Sequence, residues 1–235
     1  MKKIALLLIA ALALFNSCKI ETSKDLGPET TRTVTVREFK NLTISICTDV
    51  EYIPSDTFSV TITAPEKSLD RILLNVSDST LSIEESTLKE EKGVTWIINN
   101  SGYTASKIVV RAPYLTCVNL AGSGSFTCTK TIKAPSLALT ITGSGEMNVA
   151  GIEAANVKAF VAGSGDINAH ITRAASTLVN VAGSGDVKLK LTDCGEVTAG
   201  VAGSGDIAIS GNAQTLKQDT TGSGNIDTDN LKLTK

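Results

Sequence analysis

Apolar and polar residues alternate along most of this chain, and from residue 120 the alternation recurs at a nearly fixed interval. The tripeptide Gly-Ser-Gly begins at residues 122, 143, 163, 183, 203 and 222, in steps of 19 to 21 residues. On both sides of each tripeptide, every second residue is apolar. A period of two residues is typical of a β-strand with one buried face. Each repeat is therefore predicted to form two short strands around a fixed corner.

Four apolar columns become visible when the repeats are aligned on the tripeptide. Two columns follow it: Phe126, Met147, Ile167, Val187, Ile207 and Ile226, and then Cys128, Val149, Ala169, Leu189 and Ile209. Two precede it: Leu120, Ile141, Val161, Val181 and Val201, and before them Val118, Leu139, Ala159, Val179 and Ala199. One repeat cannot bury such a face, whereas repeats stacked about 4.8 Å apart can. The pattern predicts an all-β fold with a β-solenoid of about six short turns.

The tripeptide suits the corner of such a coil. Glycine adopts positive φ without steric cost, and it lets stacked backbones approach where a Cβ would clash. We expect the serine and the following acidic or amide residue to hydrogen-bond local backbone groups. The predicted corner glycines are Gly122, Gly124, Gly143, Gly145, Gly163, Gly165, Gly183, Gly185, Gly203, Gly205, Gly222 and Gly224.

The first half of the chain is not repetitive but is also strand-like. Segments such as "RTVTVREF", "LTISI" and "FSVTITA" alternate or are rich in β-branched residues. One short helical turn is expected around Leu69, Ile72 and Leu73. We assign an irregular N-terminal β region to residues 31–116, and the repeat β-helix with its C-terminal cap to residues 117–235.

Residues 1–17 have the pattern of a secretory signal. Two lysines precede an apolar run from Ile4 to Phe15. At about 1.5 Å per residue this run is too short to cross a hydrocarbon core of about 30 Å as a helix. We predict a cleaved signal peptide and an exported protein.

Cys18 directly follows this segment, and the junction resembles the lipobox of bacterial lipoproteins. In that pattern the cysteine carries the lipid and becomes the first residue of the mature chain. Ser17 fits the pattern, whereas Phe15 and Asn16 depart from its tightest form. We expect residues 18–30 to be a lipidated cysteine and polar tether that anchors the chain to the outer membrane, facing the cell surface or the periplasm. The alternative is an ordinary cleaved signal with a free Cys18.

Net charge and cysteine content argue against nucleic acid and zinc as ligands. The net charge is −2, which offers no electrostatic footprint for nucleic acid. There is no C-x-x-C motif and only one histidine, which argues against a zinc site, and no cofactor is expected. The spacing specifies no disulfide pairing among the cysteines after the junction, which are Cys47, Cys117, Cys128 and Cys194. Burial as a small apolar residue is the expected role for Cys128.

Acidic residues follow the corners at Asp166, Asp186 and Asp206, which raises the question of calcium. Glycine-aspartate repeats bind Ca²⁺ in nonapeptide β-rolls. Each corner here supplies one carboxylate, whereas Ca²⁺ takes six to eight oxygen ligands. Turn chemistry is the favoured interpretation, with a weak calcium site as the alternative.

No catalytic motif is present. The chain lacks the P-loop, a completed G-x-G-x-x-G and G-x-S-x-G. The single histidine, His170, falls on an outward position and is expected to be solvated. The outward positions carry no cluster of carboxylates of the kind that carbohydrate-active enzymes use. We predict that the protein is not an enzyme, with a carbohydrate-active enzyme on a β-helix scaffold as the least favoured alternative.

Aromatic residues that could contact a ligand are few. Trp96 and Tyr103 flank the irregular segment "IINNSGYTASK", and either project with it or pack over the end of the solenoid. Phe160 lies on an outward position and is a candidate for self-association. These three residues are the candidate ligand contacts.

The repeated GSGD corners, with "DTFSVTITAPEKSLDRILLNVSDSTLSIEES" and "KIVVRAPYLTCVNLAGSGS" before them, closely resemble the putative auto-transporter adhesin, head GIN domain family. The closing "ISGNAQTLKQDTTGSGNI" is similar to that family's last repeat and cap. The resemblance implies a single-stranded right-handed parallel β-helix and an exported protein or lipoprotein. It brings no catalytic residues. The expected function is a non-enzymatic, adhesin-like or structural envelope protein, with a host protein, envelope protein or glycan as partner. A glycan- or small-ligand-binding module is the alternative.

Overall fold

The computed structural model of the protein describes residues 26–86 and 107–234. In chain order the strands are β1 (Glu29–Thr35), β2 (Asn41–Ser45), β3 (Asp49–Pro54), β4 (Ser59–Pro65), β5 (Ile72–Ser77), β6 (Thr80–Glu85), β7 (Lys107–Ala112), β8 (Cys117–Gly122), β9 (Ser125–Lys133), β10 (Ser136–Gly143), β11 (Glu146–Glu153), β12 (Asn156–Gly163), β13 (Asp166–Thr172), β14 (Ser176–Gly183), β15 (Val187–Gly203), β16 (Ile207–Gly222), β17 (Ile226–Asp227) and β18 (Leu231–Leu233). One helical turn, α1 (Glu66–Leu69), lies between β4 and β5. The chain forms the predicted all-β solenoid of about six turns with an irregular N-terminal region.

The strands of successive turns stack in parallel on both sides of the corner. The first stack contains the strands that lead into the tripeptide, in the order β6, β2, β8, β10, β12, β14 and the second halves of β15 and β16. The second stack contains the strands that follow the tripeptide, in the order β7, β3, β9, β11, β13, the first halves of β15 and β16, and β17. The register places each corner glycine over its counterpart, as Gly143 over Gly122 and Gly163 over Gly143.

The four predicted apolar columns point into the coil. All their residues are buried except Ile226, which is half-buried in the last layer. They belong to one continuous hydrophobic cluster that also includes Leu42, Tyr52 and Ile83 of the first half. A single core therefore holds the repeats and the N-terminal strands together.

The N-terminal strands do not stack in chain order. The layer of β2 and β3 lies between the layer of β6 and β7 and the layer of β8 and β9. Beyond it, β5 pairs antiparallel with β6, and β4 pairs antiparallel with both β7 and β1. These antiparallel strands close the N-terminal end of the solenoid.

The expected helical turn is present but shorter than predicted. It spans Glu66–Leu69, and Ile72 and Leu73 belong to β5 instead. Ile72 is buried, whereas Leu73 points outward and is exposed, as alternation in a strand requires. Ile72 and Leu73 therefore lie on opposite faces of a strand, and not on one face of a helix as the sequence suggested.

At the C-terminal end of the solenoid, the last strand carries polar residues at inward positions. In the last strand of the first stack, Gln218 and Thr220 occupy the positions held one layer earlier by Ala199 and Val201. These polar residues are exposed at the open edge of the stack. Polar side chains at inward positions discourage a further strand from pairing with an edge.

In the described ranges, no helix is long and apolar enough to cross a bilayer.

Candidate binding groove

A surface groove of about 630 Å³ runs along the outer side of the second stack. It crosses six layers of the solenoid, parallel to the stacking direction. Two rows of outward side chains line it. The first row is Thr127, Asn148, Asn168, Lys188, Ala208 and Asp227, and the second is Thr129, Ala150, His170, Lys190, Ser210 and Asn230.

The strand period and local irregularities in β11 and β15 shape this groove together. Between its two rows lies the buried column that includes Val149 and Leu189, so alternation fixes which residues face outward. The register shifts between Val149 and Ile152 in β11, and between Leu191 and Cys194 in β15. A local irregularity of this kind bends a strand. The rows therefore lie on the strand segments that precede the bend.

An amide ladder fixes one part of the first row. Asn168 Nδ2 donates to Asn148 Oδ1 at 3.1 Å. Asn148 Nδ2 donates in turn to Glu146 Oε1 at 2.7 Å. Because each amide is held by its neighbour, the two side chains are oriented before any ligand arrives.

His170 lies in the second row and is less exposed than the sequence suggested. The residue is half-buried, and its Nε2 atom lies 2.9 Å from Thr192 Oγ1. This hydrogen bond fixes the plane of the ring. The Nδ1 atom is the remaining polar atom of the ring.

Two lysines occupy the middle of the groove. Lys188 and Lys190 are exposed and lie two residues apart on one face of β15, a spacing of about 7 Å along a strand. Within the described ranges, neither has a carboxylate within 4.0 Å, whereas Lys107 and Lys217 elsewhere pair with Glu51 and Glu196. The middle of the groove therefore carries positive charge, whereas Asp227 places a carboxylate in its last layer.

The corner aspartates form a ladder of hydrogen bonds. Asp166 Oδ1 accepts the backbone N–H of Asp186 at 2.9 Å, and Asp186 Oδ1 accepts that of Asp206 at 3.0 Å. Asp206 Oδ1 accepts the N–H of Asn225 at 2.9 Å. These carboxylates join successive layers. No group of three or more metal-ligating side chains occurs in the described part of the chain.

The two glycines of each tripeptide meet different constraints. The first, as in Gly143, has φ +127°, and a Cβ built there would lie 2.6 Å from the carbonyl oxygen of Gly122. The second, as in Gly185, has no such φ, but a Cβ would lie 2.0 Å from the carbonyl oxygen of Gly165. The serine between them is exposed and donates its backbone N–H to the layer before, as Ser184 does to Gly163 at 2.8 Å. The corner is thus built from backbone contacts.

Phe160 is not among the residues that line the groove. Phe160 lies on the outer face of the first stack and is 39% exposed. Cys18, Trp96 and Tyr103 lie outside the described residues. The cysteines of the described ranges are free: Cys47 is exposed, Cys117 is half-buried, and Cys128 and Cys194 are buried. Burial raises the pKa of the thiols of Cys117, Cys128 and Cys194.

The repeat pattern predicts outward Asn, Lys and Thr side chains but does not predict that they line a groove. A signal was present in the unpaired lysines of "VKLKL", which share one face of a predicted strand.

Several solved structures share this fold. A putative adhesin from Bacteroides fragilis is 19% identical, with a TM-score of 0.67 over 85% of this chain and 96% of that one. A putative lipid binding protein from Parabacteroides distasonis is 22% identical, with a TM-score of 0.57 over 89% and 98%. A putative adhesin from the same species is 17% identical, with a TM-score of 0.50 over 86% and 97%. At these identities the likeness shows the fold.

No curated protein matches the chain in sequence. A family profile does match it, over residues 38–172 and 170–235, which include both the N-terminal strands and the corner repeats. The resemblance drawn from the GSGD corners is thereby confirmed. The chain belongs to the family described as "Putative auto-transporter adhesin, head GIN domain".

Proposed function

We propose that the protein is a non-enzymatic, adhesin-like lipoprotein, anchored through Cys18 in the outer membrane and exposed at the cell surface. Three features support the proposal: the secretory pattern of residues 1–17, the lipobox-like junction at Cys18 and membership of an adhesin-like family. The solenoid is the part that meets the partner.

The groove on the second stack is the observation that carries a binding function. Its side chains project from strands that are paired on both sides, as β13 is with β11 and β15. The columns beneath those strands belong to the continuous hydrophobic cluster. A backbone fixed in this way needs no ordering when a ligand binds, which favours affinity.

The composition of the groove favours binding over catalysis. Its lining contains one carboxylate, Asp227, whereas most glycoside hydrolases use a pair of them across the scissile bond. The one histidine has its Nε2 atom hydrogen-bonded to Thr192. The lysines and amides are groups that hold polar ligands.

A polar ligand suits this groove better than a lipid chain does. One structural relative is described as a putative lipid binding protein. In this chain, however, the apolar residues under the groove, including Val149, Ala169 and Leu189, are at most 8% exposed. An acyl chain needs continuous apolar walls, and most side chains of the two outward rows end in hydroxyl, amide or amine groups.

The test is protease treatment of intact cells that produce the wild-type chain or Cys18→Ala. We expect digestion of the wild-type solenoid on unbroken cells, and release of the Cys18→Ala protein from the membrane fraction. A strain that lacks the chain should attach less to epithelial monolayers. Protection of the wild-type chain until the outer membrane is opened, or attachment that does not change, would reject the adhesion proposal.

A further inference from the structure

We infer that the groove binds a linear anionic polysaccharide, which lies along the solenoid axis with its acidic groups on Lys188 and Lys190. The inference rests on the proposed binding function and names the ligand class for the same site. The occupant would be a chain of sugar rings that carry carboxylate or sulfate groups.

The charge balance of the groove calls for an anion. On one side, the cross-strand neighbours of Lys188 and Lys190 are Asn168 and His170, and on the other they are Ala208 and Ser210. None of these four is a carboxylate, and the carboxylate of Asp186, two residues before Lys188, accepts the backbone N–H of Asp206. The two lysines stand about 7 Å apart along the strand, their like charges repel, and an anion between or beside them removes that repulsion. Lysine binds such groups as a flexible point charge, so both carboxylate and sulfate are suitable.

The amide ladder supplies partners for hydroxyl groups. Each Asn NH₂ group has two donors, and Asn148 and Asn168 each use one within the ladder. The remaining donors, with the Oδ1 atom of Asn168, lie in the same row as Lys188, which is the cross-strand neighbour of Asn168. Sugar hydroxyls both donate and accept hydrogen bonds. An adjacent set of fixed donors and acceptors is therefore suited to a sugar ring.

The shape of the groove suits a polymer. Six layers at about 4.8 Å give a row of about 24 Å between the first and last strands. Ala150, Ala208 and the aliphatic stems of the two lysines offer apolar contact between the polar groups. Sugar rings present C–H faces to such surfaces and hydroxyls to the amides. A polymer that carries both acidic groups and hydroxyls along its chain can contact side chains along the full length of the groove.

An acidic peptide fits this surface less well. Extended peptides that bind sheets obtain affinity from main-chain hydrogen bonds to an exposed strand edge. In the groove, β11, β13 and the first half of β15 are each paired on both sides. Their backbone groups are already used, so a peptide would have only side-chain contacts there.

The experiment measures binding of four probes to the purified full chain by calorimetry and affinity electrophoresis. The probes are polygalacturonate, dextran sulfate, neutral dextran and poly-L-glutamate. We expect binding to at least one of the two anionic polysaccharides and none to neutral dextran. In the double variant Lys188→Gln/Lys190→Gln, affinity should fall at least tenfold. Asn168→Ala should weaken binding less, because it removes hydroxyl contacts and leaves the charge.

A matched control distinguishes binding at the groove from general attraction of a polyanion to surface lysines. Lys40→Gln/Lys158→Gln removes the same charge from two exposed lysines outside the groove and should keep the wild-type affinity. Equal losses in the two double variants would overturn the inference, as would the absence of binding to both anionic polysaccharides. Tighter binding of poly-L-glutamate, lost in the groove variant, would replace the polysaccharide with an acidic peptide.

Cell attachment distinguishes this inference from the proposed function. The purified protein could bind none of the four probes while the deletion strain attaches less than the wild type. In that case the ligand class is wrong and the adhesion role stands. If the protein binds a probe through Lys188 and Lys190 but attachment is unchanged in the deletion strain, the site stands and the adhesion role fails.

Discussion

The side chain of Asp166 accepts the backbone N–H of Asp186, one layer further along the solenoid, at 2.9 Å. The same contact repeats from Asp186 to Asp206 and from Asp206 to Asn225. The sequence suggested two roles for this column, turn chemistry or calcium binding. The observed contacts join the backbones of neighbouring layers, so the carboxylates have a structural use that requires no ion.

Substitutions of Asp186 should show whether its hydrogen-bond acceptor or its negative charge stabilises the stack. Asp186→Ala removes the acceptor for Asp206 N–H and should cost about 1 kcal/mol, because the freed N–H is near solvent. Asp186→Asn keeps an oxygen at the same place and should cost less. Urea unfolding followed by circular dichroism measures both. As a control, EDTA and Ca²⁺ should leave the wild-type melting temperature unchanged, and a clear rise with Ca²⁺ would revive the calcium alternative.

Substitutions at two corner glycines should distinguish the cost of backbone strain from the cost of a clash between stacked layers. Gly122 and Gly143 both have positive φ, of 109° and 127°. A Cβ on Gly122 would meet no atom within 4 Å, whereas on Gly143 it would meet the Gly122 carbonyl oxygen. Gly122→Ala should therefore cost the strain alone, about 1–3 kcal/mol.

Gly143→Ala should cost at least about 1 kcal/mol more than Gly122→Ala, because neighbouring layers must also move apart. Comparison of the two denaturation midpoints measures the difference. Equal losses in the two variants would mean that conformational strain alone explains the repeated glycine.

An inward and an outward residue test the register of the repeat. Val181 is 1% exposed, and Lys188 is exposed on the opposite side of its strand from the core. Val181→Asp places an uncompensated carboxylate in the core and should cost more than about 4 kcal/mol or prevent folding. Lys188→Asp should change stability little. Thermal unfolding of both variants checks the prediction, and similar losses would contradict the observed register.

The repeats could be predicted from the sequence because one period fixes many positions at once. Alternation on both sides of Gly-Ser-Gly identified the columns of Val181 and Val187, and stacking in register follows from the constant spacing. The order of the N-terminal layers could not be predicted in this way. The strand pairs Leu42–Leu81 and Leu42–Val118 join non-repetitive segments far apart in the chain, and alternation alone does not choose between such partners.

The groove could be predicted only in part, for a related reason. Alternation correctly placed Asn168 and Lys188 on the outside of the coil. The groove that they line is formed by several layers together, and local features such as the register shift after Val149 appear only once those layers are stacked. Hydrogen bonds such as Asn168 to Asn148 likewise require the layers to be stacked before they become visible.

One buried hydroxyl offers a route to a more stable protein. Thr177 is 1% exposed in a column where its parallel neighbours are Val157 and Val197, and its Oγ1 has no hydrogen-bond partner among the described residues. Thr177→Val keeps the shape and removes the unpaired hydroxyl. It should therefore raise the free energy of unfolding by about 1 kcal/mol.

The control for this substitution is Thr198→Val, which makes the same chemical change on the half-exposed outer face of the first stack. Its effect should lie within about 0.5 kcal/mol of zero. Urea titrations of the two variants beside the wild type give the comparison. Destabilisation by Thr177→Val would show that the hydroxyl has a partner after all.

The thiols should differ in their reactivity with alkylating reagents. The thiolate is the reacting form, and burial raises the pKa of the Cys128 and Cys194 thiols, so their thiolate fraction near pH 8 is small. Raising the pH increases that fraction, but the reagent must still reach sulfur atoms inside the core. Cys47 is exposed and should be labelled first. Iodoacetamide labelling resolved by peptide mass spectrometry should show Cys47 modified in the folded protein, and Cys128 and Cys194 modified only in denaturant. Fast labelling of Cys194 without denaturant would mean that the turn around it opens in the native state.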